Sequence, residues 1–133
     1  QAASFGDEAA DKLGVDRRRV FKTLVVVAGS RSLAVAVVPI ARQLDLKLMA
    51  KALGQKKVAM AAGADVERSS GYVLGGVSPL GQKKPLPTVV DASAADWETV
   101  FVSAGRRGLE IELSANDLCR LTRGLLAPIA TRD

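Results

Sequence analysis

Two dense apolar runs near the start of the chain predict a pair of buried strands. Segment 20–28 has the sequence VFKTLVVVA and segment 33–38 has the sequence LAVAVV, so both are rich in β-branched residues. The residues GSRS between them suit a turn. The two segments therefore predict an antiparallel hairpin in the middle of a sheet, buried on both faces.

Three other segments carry apolar residues at helical spacing, namely 5–14, 45–54 and 114–126. In the second, Asp45 suits the N-cap and Gly54 the C-terminal position. In the third, Ser114 and Asp117 stand in a capping-box-like relation. The predicted apolar positions are Ala9, Ala10 and Leu13 in the first helix, Leu46, Met49, Ala50 and Leu53 in the second, and Leu118, Leu121 and Leu125 in the third.

Shorter segments predict the remaining strands and helical turns of a mixed α and β chain. Segments 56–61 and 87–91 predict short strands, and 64–71 predicts one or two helical turns. Segments 98–103 and 109–113 alternate apolar and polar residues and are joined by AGRRG, which predicts a second hairpin. We expect one α+β domain over residues 1–133, with a mixed, largely antiparallel sheet flanked by short helices.

The composition removes several classes of chemistry. The chain has no histidine and one cysteine, Cys119, so Ser-His-Asp and Cys-His catalysis and His-ligated metal sites are excluded. We expect no metal and no cofactor. Cys119 follows Leu118 in an apolar stripe, which favours a buried thiol in a reduced compartment. The longest apolar run, LAVAVVPIA at 33–41, is too short to span a bilayer, so we expect a cytoplasmic protein.

The chain is basic, with a net charge of +5 and a pI near 9.7. The excess falls in clusters at 17–19, 56–57, 83–84 and 106–107, each beside a predicted turn or strand end. Clustered charge at turns can frame one rim of a site and favours an anionic partner such as RNA. The alternative is that these residues are solvated turns.

The segment 71–91, GYVLGGVSPLGQKKPLPTVVD, concentrates glycine and proline between strand-like ends. Residues 76–81 have the glycine spacing of a phosphate loop, but Gln82 stands where that motif needs lysine, which argues against an NTPase. No G-x-G-x-x-G follows a strand, so a dinucleotide site has no support. Gly75 and Gly76 can turn consecutive amides toward an oxyanion or carbonyl oxygen. The alternative is a tight turn between strands.

The strings FGDEAADKLG, VFKTL, SSGYVLGGVSPLGQKK and VFVSAGRRGLEIEL, in this order, resemble the YbaK family of aminoacyl-tRNA deacylases. These enzymes are related to the editing domain of bacterial prolyl-tRNA synthetases. The resemblance runs from about Phe5 to the final helix, and it is greatest to the subgroup that hydrolyses Cys-tRNA(Pro). It implies the fold of that editing domain.

The resemblance also implies roles for individual residues. The lysine of FKTL is Lys22, expected to hold the terminal adenosine or its phosphate. Gly75 and Gly76 belong to the family's G-x-x-x-P loop, with amides near the aminoacyl carbonyl, and Ser103 matches a serine of the site. The residues assigned to catalysis are therefore Lys22, Gly75, Gly76 and Ser103. The residues assigned to substrate binding are Phe5, Thr23, Ser78, Pro79, Gly105 and Arg106. The alternatives are that Ser103 satisfies a strand-end amide and that Phe5 staples the first helix.

The implied function is trans-editing, in which the ester of mischarged tRNA(Pro) is cleaved. In the Cys-tRNA deacylases the substrate's own thiol attacks its carbonyl, so the enzyme contributes geometry. Expected partners are the tRNA acceptor end and prolyl-tRNA synthetase, without membrane or DNA. Two alternatives stay open: an Ala-tRNA(Pro) deacylase that uses water, and a binding module for tRNA or the synthetase without turnover.

Three departures from the family pattern bear on the site. Ala104 replaces a glycine, and Glu110 stands where relatives often carry aspartate. Members of the family also usually begin with an additional helix and strand, so we expect such a segment to precede Gln1 in the complete protein.

Overall fold

The computed structural model of the protein describes residues 10–29, 32–63, 78–82, 85–106 and 108–132. The helices are α1 (Leu46–Leu53) and α2 (Ala115–Thr122), two 3-10 helices at Arg17–Arg19 and Ala92–Asp96, and a helical stretch at 10–13. The strands are β1 (Phe21–Ala28), β2 (Ser32–Pro39), β3 (Val58–Met60), β4 (Thr88–Asp91), β5 (Val100–Arg106), β6 (Leu109–Leu113) and β7 (Leu125–Ala127).

The main sheet has the strand order β3-β1-β2-β4-β7. The predicted hairpin is confirmed, because β1 and β2 pair antiparallel from Phe21 opposite Pro39 to Ala28 opposite Ser32. The strands β4 and β7 join by parallel pairing, so the sheet is mixed and the predicted α+β class is confirmed.

The second predicted hairpin is also present, as the antiparallel pair β5–β6. It meets the main sheet at a parallel bridge between Val20 and Phe101. Its register shifts between Ser103 and Arg106, where Gly105 has φ +99°. Glycine adopts such a φ at little cost, so this position accommodates the bulge.

The main sheet is covered on both faces. On one face, Met49 and Ala50 of α1 pack with Val26 and Val38. On the other, Leu118 of α2 packs with residues that include Val35, Val37, Val90 and Val102. Strands buried on both faces need continuous β-branched runs, which is the pattern that predicted them.

The caps of the helices follow the sequence closely. The Asp45 carboxylate accepts from the backbone N–H groups of Lys47 and Leu48, at 2.9 and 3.0 Å. Gly54 ends α1 in the left-handed conformation, with φ +68°. None of the helices in the described ranges has the length and apolar character that a bilayer crossing requires.

The third predicted helix was wrong at its C-terminal end. It stops at Thr122, Arg123 adopts φ +55°, and Leu125 begins β7, which pairs with β4. Parallel pairing with the sheet therefore overrides the helical spacing, and Leu121 and Leu125 are 56% and 49% exposed instead of forming a buried stripe.

The 3-10 helix at Ala92–Asp96 was not predicted, and the predicted turns at 64–71 lie outside the described residues.

Candidate active site at the junction of β1 and β5

Lys22 lies near the start of β1, opposite Val38, and is half-buried. Side chains alternate between the faces of a strand, so Lys22 shares its face with Leu24 and Val26. Thr23 points to the opposite face, and its buried hydroxyl has no hydrogen-bond partner among the described residues. The two neighbouring residues assigned to the site are therefore presented to different sides of the sheet.

Ser103 lies on the same side of the junction between the two sheets as Lys22. The bridge joins Val20 to Phe101 in parallel, and paired residues of parallel strands point to the same side. Lys22 and Ser103 are each two residues beyond that bridge, and two residues restore the same face. The structure thus brings the predicted lysine and serine to one side of the β1–β5 junction.

The Ser103 hydroxyl also has a structural role. Its Oγ accepts a hydrogen bond from the Gly105 N–H at 3.1 Å, within the bulge of β5. This is the alternative role considered for the residue, the satisfaction of a strand-end amide. The hydroxyl proton can still donate to a further acceptor, so both roles are compatible. Arg106 is exposed and pairs with Leu109 at the end of the hairpin.

Glu110 joins the same side as a third polar residue. It is opposite Ser103 in the antiparallel register, so both side chains leave the same face of the hairpin. Burial raises the pKa of the Glu110 carboxyl above its ordinary value of 4.5. The sequence assignment left this residue out of the site, although the alternation in LEIEL already separates Glu110 from the apolar face of Ile111. We call the row of Lys22, Ser103 and Glu110 the junction row.

The loop residues that follow the glycine motif lie in another environment. Ser78 is 1% exposed, its Oγ accepts from the Leu80 N–H, and its carbonyl accepts from the Gln82 amide. Pro79 is buried, and Leu80 packs with the core on the Phe21 face, which is the face of Thr23. The remaining assigned residues, Phe5, Gly75 and Gly76, lie outside the described residues.

The junction itself is clamped by Arg19. Its Nε donates to the Thr99 carbonyl at 3.1 Å, and its Nη2 donates to the Thr99 hydroxyl at 2.7 Å. Nη2 also lies 3.4 Å from a Glu112 carboxylate oxygen, and the guanidinium carbon lies 5.0 Å from the centre of the Phe101 ring. Sequence reasoning grouped this arginine with a solvated or RNA-binding cluster, whereas the structure gives it a role in holding β5 against β1.

Two open clefts elsewhere have volumes of about 560 and 590 Å³. The first is lined by residues that include Gly54, Lys56 and Lys57, and the second by residues that include Asp45 and Asp91. The carboxylates of Asp45 and Asp91 accept backbone hydrogen bonds. Over the described ranges, no group of three or more acidic, cysteine or histidine residues is arranged to hold a metal ion.

Comparisons with known proteins give the family. A model for the aminoacyl-tRNA editing domain matches residues 1–121. A protein of Enterococcus faecalis (strain ATCC 700802 / V583), named "Putative Cys-tRNA(Pro)/Cys-tRNA(Cys) deacylase EbsC", is 43% identical over 127 residues, which cover 96% of this chain and 77% of that protein. The "Uncharacterized protein YwhH" of Bacillus subtilis (strain 168) is 28% identical over 112 residues, covering 84% of this chain and 71% of that protein.

A solved structure agrees in fold. The "Crystal structure of a putative trans-editing enzyme for prolyl tRNA synthetase" superposes with a TM-score of 0.88 at 24% identity, covering 96% of this chain and 80% of that one. The resemblance to the YbaK family and the predicted enzyme class, an aminoacyl-tRNA deacylase, are confirmed. The chain belongs to the aminoacyl-tRNA editing domain family.

Proposed function

We propose that this chain deacylates mischarged tRNA(Pro), with Cys-tRNA(Pro) as its substrate. The observation that carries the proposal is the junction row, a lysine, a hydroxyl and a carboxyl on one side of the β1–β5 junction in a chain of the editing family. The name of the 43% identical relative supports the choice of amino acid. On this proposal the protein acts in the cytoplasm on the tRNA acceptor end, with prolyl-tRNA synthetase as a further partner.

An aminoacyl ester needs little side-chain chemistry to be cleaved. It is already activated, so the site has to position a nucleophile and stabilise the negative charge that develops on the carbonyl oxygen. The Lys22 ammonium attracts the phosphate or terminal adenosine, the Ser103 hydroxyl can donate toward the ester, and the amides of Gly75 and Gly76 are assigned to the carbonyl oxygen.

The proposed nucleophile is the thiol of the substrate. Its sulfur attacks the carbonyl carbon, a C–S bond forms, and the ester C–O bond breaks. The thiol proton ends on the ribose oxygen, so the products are a cyclic thioester and tRNA with a free terminal hydroxyl. The chain's own thiol fits this role poorly, because Cys119 packs against the core beside Leu118 and burial raises its pKa.

The test is release of labelled amino acid from Cys-tRNA(Pro), Ser-tRNA(Pro) and Ala-tRNA(Pro). Serine replaces the attacking sulfur by oxygen with little change in shape, so comparing the two esters isolates the contribution of the thiol to cleavage. We expect rapid loss of cysteine, with serine and alanine retained at the rate seen in buffer.

Two other results would overturn parts of the proposal. Release of alanine would indicate a water-dependent deacylase. If none of the three esters is cleaved faster than in buffer while the tRNA is still bound, the chain is a binding module.

A further inference from the structure

The guanidinium of Arg18 is stacked on the ring of Trp97, outside the junction row. Its central carbon lies 5.5 Å from the centre of the ring, within the range of a cation–π contact. Of the Arg18 side chain 66% remains exposed. The contact therefore places a flat cationic group at the surface, backed by the only tryptophan of the chain.

A second contact fixes the plane of that group. Arg18 Nε donates to both carboxylate oxygens of Asp16, at 3.1 and 3.2 Å, and Nη2 donates to one of them at 2.6 Å. The Arg18 backbone N–H donates to the same carboxylate at 2.9 Å. These hydrogen bonds lower the pKa of Asp16 to about 2, so the carboxylate stays charged at neutral pH.

Such an arrangement does little for stability. An exposed Arg–Asp pair contributes at most a small amount to folding, because solvent screens it. The neighbouring Arg19 differs, since it bonds to Thr99 and Glu112 across the β1–β5 junction. A guanidinium held by a fork of hydrogen bonds and by an aromatic face has already lost much of its rotational freedom, which favours stacking with a planar ligand.

The position of Arg18 relative to the junction row indicates which planar ligand the guanidinium would bind. Arg18 is four residues before Lys22, so their Cα atoms are at most about 14 Å apart. Trp97 precedes the strand that carries Phe101 and Ser103. Because Arg18 is this close to Lys22 along the chain, a terminal adenosine held at Lys22 would leave the neighbouring nucleotides within reach of the Arg18 guanidinium.

We propose that Arg18 and Trp97 form a stacking platform for an unpaired base of the tRNA acceptor end, next to the terminal adenosine. The inference rests on the proposed function, in which the substrate is an aminoacyl-tRNA. Unpaired bases are recognised by stacking on aromatic rings and on arginine planes, and such stacking tolerates any base. The exposed Arg17, next to Arg18, adds positive charge that attracts the RNA backbone.

The test compares two substrates, cysteinyl-tRNA(Pro) and cysteinyl-adenosine, which lacks the unpaired bases. Arg18→Ala should raise KM for the tRNA substrate about tenfold or more and leave kcat/KM for cysteinyl-adenosine unchanged. Arg18→Lys keeps the positive charge but loses the planar guanidinium, so KM for the tRNA substrate should stay raised. Trp97→Phe, which keeps an apolar ring in the partly buried position, should have a smaller effect in the same direction.

The matched control is Arg120→Ala on α2. Arg120 is 70% exposed and paired with Asp117, as Arg18 is paired with Asp16, but no aromatic contact involves it among the described residues. It should leave KM unchanged for both substrates. The proposal is overturned if Arg18→Ala affects both substrates equally, if Arg18→Lys fully restores KM, or if Arg18→Ala and Arg120→Ala behave alike.

Failure of the proposed function can be separated from failure of the platform. If the wild-type protein cleaves neither substrate, the function is refuted, and the platform is judged by filter binding of uncharged tRNA(Pro). Arg18→Ala should then weaken binding of intact tRNA and not of tRNA shortened by its unpaired 3′ nucleotides. Equal weakening with both RNAs overturns the platform.

Discussion

Replacing Arg19 with alanine should loosen the junction between the main sheet and the β5–β6 hairpin. The change removes two hydrogen bonds to Thr99, the ion pair with Glu112 and the contact with the Phe101 ring. The side chain is 26% exposed, so solvent partly screens these contacts.

The expected loss follows from these contacts. Hydrogen bonds to a charged group are worth roughly 1.5–3 kcal/mol each when buried, and the cation–π contact adds about 0.5–1 kcal/mol. After allowance for exposure, we expect the free energy of unfolding to fall by about 3 kcal/mol. For a domain of this length that corresponds to a drop in Tm of roughly 10 °C.

The assay is urea and thermal denaturation of the wild type, Arg19→Ala, Arg19→Lys and Arg120→Ala. Lysine keeps the charge but loses the planar fork, so it should recover only part of the loss. Arg120→Ala should change stability by no more than about 0.5 kcal/mol. A loss below about 1 kcal/mol for Arg19→Ala, or full recovery with lysine, would refute the clamp.

Four further predictions concern charge and backbone conformation. The pKa of Asp16 is lowered to about 2 by Arg18, so this exposed pair adds a small stabilisation above the pKa of the unfolded carboxyl, and that stabilisation is lost as pH falls through about 2. The stability difference between wild type and Asp16→Asn, measured in urea, should therefore shrink from pH 6 to pH 2, and a constant difference would contradict it. The pKa of Glu110 is raised by burial, so its contribution to stability is present at low pH and lost as pH rises through the folded-state pKa. Glu110→Gln should be more stable than the wild type at pH 8 and equal to it near pH 3, and the opposite order would be incompatible with a desolvated carboxylate. Arg123→Gly should raise the free energy of unfolding by about 1 kcal/mol in a thermal melt, because φ +55° is costly for any residue with a Cβ. Gly124→Ala should lower it by about 1–3 kcal/mol, because the new Cβ would lie 2.8 Å from Thr122 Oγ1 and 3.0 Å from the Thr88 carbonyl; the reverse ranking of these two variants would refute the argument.

Elements specified by local chemistry could be predicted from the sequence. The helix α1 has its cap at Asp45, its apolar face and its terminal glycine within ten residues, and the structure keeps all three. The hairpin β1–β2 follows from two β-branched runs and one turn. In each case the deciding interactions are close in sequence, so the pattern determines the element.

Features that depend on distant contacts could not be predicted. Leu125 continues a helical spacing, but pairing with β4 draws it into β7. The bridge between Val20 and Phe101, which aligns Lys22 with Ser103, joins residues far apart in the chain and has no local signal. Glu110 is different, because the alternation in LEIEL and the predicted hairpin were a local signal that it faces Ser103, and only its place on the same side as Lys22 depends on the distant bridge.

The most direct measurement of the central claim is single-turnover deacylation of Cys-tRNA(Pro) by the wild type, Lys22→Ala and Arg120→Ala. Lys22 is the cationic group of the junction row, and removing one such contact from a reaction centre typically slows the chemical step about 100-fold or more. The account predicts that loss for Lys22→Ala, with the wild-type circular dichroism spectrum retained and Arg120→Ala fully active. Wild-type rates in a folded Lys22→Ala protein would contradict the account.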